Sequence, residues 1–151
     1  MSRGWRAARK VRIHCPLDQD TFARLLKGDL AALEKDPVAA RILSVIRAPN
    51  PLGDFDVYQG VFEVSLGVEG FTAALGANPA MGAPGATTLS PTAIITTYVD
   101  VAADAVEVAA ALDALVRAHP WETPVIEISE GTVQLPVRPP FKPAPSTPAA
   151  C

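Results

Sequence analysis

The stretch DAVEVAAALDALVRAHPWETPVIEI, residues 104–128, decides the fold, because it reads as helix, corner and strand in immediate succession. Asp104, with Glu107 three residues later, makes a capping-box-like helix start. Val108, Leu112 and Leu115 recur at helical spacing and form an apolar stripe. Arg117 and His119 fall near the C-terminal end, where positive charge is favoured. Pro120 stops the helix, and Pro124 opens the strand PVIEI, which GTVQL extends. A residue before proline is pushed to extended geometry, so His119 and Thr123 are held out of helix.

Immediately upstream, TAIITTYVDV (residues 92–101) is dominated by β-branched residues and reads as a strand. Strand, helix, strand is thus one half of a repeating pattern, and the N-terminal part supplies the other half. In ARKVRIHC (residues 8–15), Val11 and Ile13 alternate with Lys10, Arg12 and His14, the period of a half-buried strand that Pro16 ends. Asp18 is placed to cap a helix in which Phe22, Leu25, Leu26, Leu30 and Leu33 share a face, with Gly28 as its weak point. A second helical stretch starts with Pro37 in its first turn and carries Val38, Ile42, Val45 and Ile46 on one side. APNPLGDFD is a loop by composition. VYQGVFEVSLGVEGFTAAL then reads as one or two strands, and GANPAMGAPGATTLSP as a long Gly/Pro/Ala loop. The order strand, helix, strands, strand, helix, strand predicts an α+β fold, a ferredoxin-like split β-α-β sandwich whose antiparallel sheet carries its helices on one face. The domain is expected over residues 8–135. PVRPPFKPAPSTPAAC, residues 136–151, is expected to be a disordered proline-rich tail.

The chain has 151 residues, a length suited to one domain, and 49% of them are apolar, so it can bury a core without staples. No apolar run is long enough to span a bilayer, and the basic N-terminal end lacks the apolar segment of a secretory signal, so the expected location is cytoplasmic. Cys15 and Cys151 have neither metal spacing nor the look of a disulfide framework. Net charge is −3, unevenly spread: bases are concentrated before residue 48, and Arg117 is the sole Lys or Arg from there to residue 135. The acidic half argues against nucleic-acid binding. Arg3, Arg6, Arg9, Lys10 and Arg12 read either as a polyanion-binding arm or, more simply, as a solvated end. So apolar a chain is expected not to leave the open face of its sheet in water but to associate through sheet faces or edges.

Two motifs carry a resemblance. GANPAMG (residues 76–82), followed by HPWETPVIEI (residues 119–128), is similar to the small domain inserted in NIF3-like proteins, which also exists as a stand-alone YqfO-type family. The likeness spans residues 9–130 and is closest in its second half. It implies a fold related to the CutA divalent-ion tolerance and PII-like signalling proteins, and therefore a homo-oligomer, a trimer by analogy, with ligands held between subunits. The paired metal ligands of full-length NIF3-like proteins belong to a body that is not part of this sequence. Residues 53–66 also lack the His or Cys that relatives place in the first hairpin.

The candidate site residues are His119, Trp121, Glu122, Gly76, Asn78 and Gly82. His119 and Glu122 could ligate a divalent metal ion. Because Zn²⁺ wants about four ligands, a neighbouring subunit would have to supply the rest, with His14 a candidate donor. The blander reading makes the corner a stiff structural element, with Trp121 plugging the helix end or a subunit interface and Glu122 accepting hydrogen bonds or pairing with Arg117. The glycine-rich loop could cradle an anion on its N–H groups, but it has no P-loop Lys and equally reads as a turn closing a strand pair. The expectation is a non-enzymatic regulatory module that binds a small molecule or divalent metal ion at a subunit interface. The alternatives are an adaptor that presents the P-x-x-P spacing of the tail, or an enzyme with His119 as general acid or base.

Overall fold

The computed structural model describes residues 4–138. In chain order its elements are β1 (Trp5–Pro16), α1 (Gln19–Leu26), α2 (Ala32–Lys35), α3 (Pro37–Arg47), β2 (Glu63–Thr72), β3 (Thr87–Asp100), α4 (Ala105–Ala118), β4 (Ile126–Ile128) and β5 (Val133–Pro136). The sheet runs β2-β3-β1-β4, every pairing antiparallel, and β5 continues along β1 beyond β4. This is the split β-α-β order of a ferredoxin-like fold.

Alternation along β1 sets the layers. Val11, Ile13 and Cys15 are buried under the helices, opposite Thr97, Ile95 and Ala93 of β3. Ile42, Leu43 and Ile46 of α3 and Leu115 of α4 close the core from above. The open face carries Lys10, Arg12 and His14 instead. There Arg12 meets Glu127 at 3.4 Å, while His14 meets Glu127 at 3.1 Å and Glu69 at 3.3 Å. Along β1 that face is polar, and Ile94 and Tyr98 of β3, paired with His14 and Lys10, share it.

Several local expectations need correction. The first helical run breaks after Leu26, where Gly28 adopts φ +88°, and Leu30 is left exposed instead of joining the stripe. Asp18 occupies the cap position of α1, but its carboxylate caps nothing. The carboxylate that organises this region is Asp36, only 2% exposed. It accepts from Val38 and Ala39 N–H at the start of α3 and from the Asp18 N–H at the start of α1. Asp36→Ala strips a helix cap and leaves three N–H groups to find new partners, and it is expected to cost about 2 kcal/mol in a urea unfolding curve.

The segment from Glu63 to Thr72 is a single strand, and β1 begins at Trp5 because its first residues pair with β5. The basic N-terminal segment is therefore sheet and not a free arm. Arg6 bonds Asp100 at 2.9 Å and the Asp54 carbonyl at 2.8 Å, and it lies 5.3 Å from the Phe55 ring centre. Arg3, and the tail expected from residue 136 onward apart from residues 136–138, lie outside the described residues. Among the described residues no helix is long and apolar enough to cross a membrane.

Candidate functional site

The corner after α4 forms as its prolines dictate. His119 sits at φ −77°, ψ 137°, extended, ahead of Pro120. This geometry turns its side chain down toward the edge of β1, where it is only 7% exposed. Nε2 donates to the His14 carbonyl at 2.6 Å, and Nδ1 accepts the Trp121 backbone N–H at 3.1 Å. A ring nitrogen facing a carbonyl must carry the proton, and one facing an N–H must not, so the imidazole is the neutral Nε2–H tautomer. Burial holds its pKa below the ordinary value, with the Arg41 charge acting in the same direction and the His14 carbonyl bond opposing them. Both nitrogens are thus occupied by the chain itself.

The two motifs meet next to this corner. The β2–β3 hairpin runs on beyond the end of β1, and the loop that closes it, residues 73–86, carries GANPAMG. The Glu122 carboxylate accepts the Asn78 backbone N–H at 2.7 Å, so its partner is the loop and not Arg117. Trp121 lies edge-on to Phe71 of β2 at 5.3 Å between ring centres, and edge-on to His119 at 5.8 Å. Gly82 serves the turn: its φ is +79°, and a Cβ there would collide with the Thr88 hydroxyl. Gly76 has open space on its Cβ side and touches nothing that explains it.

Between corner, loop and hairpin lies an open cavity of about 430 Å³, walled by Glu69, Phe71, Ala77, Pro79, Trp121 and Glu122 among others. This falls in the usual range for small-molecule pockets. No Lys or Arg lines it. Two polar atoms on its wall residues, Glu69 Oε2 and Trp121 Nε1, are buried with no hydrogen-bond partner. Burial raises the Glu69 pKa, and His14 opposes that rise.

Of the expected residues, Trp121, Glu122 and the Asn78 backbone come together around the cavity, whereas His119 stands behind it as a brace. Glu69 and Phe71 were not expected there. Their only signal is the i, i+2 spacing that puts both on one face of a strand. Among the described residues no group of three or more His, Cys, Asp and Glu side chains is placed to hold a metal ion. Cys15 is buried, and its thiol pKa is pushed up to about 12, chiefly by burial.

The chain matches no known family profile, and no curated protein matches it. A solved structure, that of a Bacillus cereus protein related to NIF3, superimposes with a TM-score of 0.53 over 87% of this chain at 16% identity. The chain spans only 27% of that protein's length. At that identity the likeness is one of fold: this chain is built like one region of a NIF3-related protein.

Proposed function

We propose that the chain is a non-enzymatic, self-associating module that binds a small ligand in the cleft between the β2–β3 hairpin and the HPWETP corner. The observation that carries this reading is the joining of the two motifs by the Asn78–Glu122 bond at the mouth of an apolar-walled cavity. A general base needs a free, titratable nitrogen, and His119 has none without breaking the corner. The high thiol pKa of Cys15 makes it a poor nucleophile. The same engagement of His119 favours a small molecule over a divalent metal ion as the ligand.

Self-association is supported by the hairpin. β2 is an edge strand of ten residues, and Val68 on it, Leu75 of the closing loop and Leu89 of β3 are 63%, 86% and 70% exposed. A long apolar edge is a template for pairing with another chain. A trimer and a regulatory role follow from the resemblance to the YqfO-type, CutA and PII-like proteins. Native mass spectrometry with and without Zn²⁺, Cu²⁺ and ATP tests the reading. The wild-type protein is expected to be oligomeric at micromolar concentration, and Leu89→Glu is expected to shift it toward monomer. A wild-type monomer overturns the association. A metal adduct that is lost in His119→Ala replaces the small molecule with an ion.

A further inference from the structure

We propose that a groove at the other end of β1 from the corner is a docking site for this chain's own proline-rich segment PPFKP, residues 139–143. The groove encloses about 770 Å³ between the loop after α3, the end of β3 and the exit of β5. Its loop wall is a tight turn. Phe55 and Tyr58 bridge to each other, Asp56 sits at φ 63°, and the Asp54 carboxylate accepts the Asp56 N–H. Such a turn is ordinarily built from small and polar residues, yet this one holds out Val57 and Tyr58, both exposed, beside Phe55. Proline-rich segments dock on aromatic-lined grooves of this kind.

Three observations name the occupant. First, the chain itself runs into the groove. Val137 and Arg138 are wall residues, the Val137 N–H donates to the Gly4 carbonyl at 2.9 Å, and the Arg138 guanidinium reaches the Asp56 carboxylate at 3.2 Å. Residues 139–143 therefore start at the groove, and a segment tethered to its site meets it at high effective concentration. Second, the period fits. A polyproline helix has three residues per turn, so in that form Pro140 and Pro143 continue the face of Val137, and Phe141 continues the face of Arg138. Third, the charge fits. Arg6 is paired with Asp100 and Arg138 with Asp56, which leaves Asp54 as the wall carboxylate in excess. Lys142 is the single charged side chain between residues 139 and 151, and it has the opposite sign. So docked, the P-x-x-P spacing of residues 140–143 is withheld from any partner that does not displace it.

Chymotrypsin cleavage of the Phe141–Lys142 bond in the full chain tests this, read by mass spectrometry as release of residues 142–151. Against a free peptide of residues 136–151, the bond is expected to be cut about tenfold more slowly in the full chain, because the protease meets only the undocked fraction. Closeness to the folded body also slows a protease, so two groove variants decide. Tyr58→Ala, on an exposed side chain, is expected to recover most of that factor with the melting temperature unchanged. Should it disturb the turn, Val57→Ser is the second variant and is expected to speed cleavage severalfold. A full-chain rate equal to that of the peptide, or protection that survives both substitutions, overturns the proposal. Protection that grows with protein concentration overturns docking within one chain and puts the segment in the groove of a second copy.

Discussion

His119→Ala is expected to destabilise the fold by about 3 kcal/mol, lowering the melting temperature by roughly 10 °C. Truncation removes the hydrogen bond that ties the corner to β1 and the one that closes the corner on itself, stranding a backbone carbonyl, His14, and a backbone N–H, Trp121. Each unmatched buried group costs about 1–3 kcal/mol, and the missing ring adds a cavity term. His119→Gln keeps a donor in reach of the His14 carbonyl and is expected to recover about 1 kcal/mol of the loss. A urea titration separates the outcomes, because a change below about 0.5 kcal/mol in His119→Ala would mean that the prolines alone hold the corner.

The same residue sets a pH dependence. Its folded pKa lies below the ordinary 6.5, so below that pH the unfolded chain takes up a proton that the folded one refuses. Stability is therefore complete above 6.5 and is shed as pH falls from there through the depressed folded value. Protonation also destroys the Nδ1 acceptor that holds the Trp121 N–H. Comparison of wild type with His119→Gln between pH 7 and pH 5 is expected to show a steeper loss in the wild type.

The layers of this fold were legible because they rest on periodicity. Val11 and Ile13 against Arg12 and His14 gave the first strand, and Val108, Leu112 and Leu115 gave the last helix, with its capping Asp104 bonding Val106 and Glu107 N–H as expected. What stayed hidden depends on contacts distant in sequence. Asp36 looks like one more surface acid until the chain folds it over the starts of two helices. The charged row of Lys10, Arg12 and His14 along the open face, paired with Glu69 and Glu127, could not be inferred from overall apolarity. In the site, the corner and loop were recognisable as motifs, but the role of His119 was not. The same residue can be ligand, acid or brace, and only its two partners, one of them 105 positions away, decide among them. Glu69 and Phe71 carried no motif at all.

Gly53→Ala is expected to be the most damaging of the glycine substitutions, at about 4 kcal/mol or more. PLGDFD reads simply as a loop, yet this glycine is locked on every side. Its N–H donates to the Tyr98 carbonyl at 2.8 Å, and its own carbonyl accepts the Val61 N–H at 3.0 Å. Its φ is +65°, and an added Cβ would stand 2.5 Å from the Val61 oxygen, 2.6 Å from the Val61 nitrogen and 2.9 Å from Thr97 Oγ1. Two of those atoms belong to the backbone, so no rotamer change relieves the overlap. The Val61 oxygen is also the acceptor of the Thr97 hydroxyl, and moving it breaks that bond as well. Gly28→Ala separates strain from collision. At φ +88° an alanine there meets the same left-handed penalty, but nothing lies within 4 Å of its Cβ, so a cost of about 1 kcal/mol is expected. Denaturant unfolding of the two variants side by side is expected to differ by about 3 kcal/mol, which measures the close packing of the loop between Leu52 and Val61 against β3. Equal losses would place the whole cost in backbone conformation and leave this loop free to move away from the strand that anchors the hairpin.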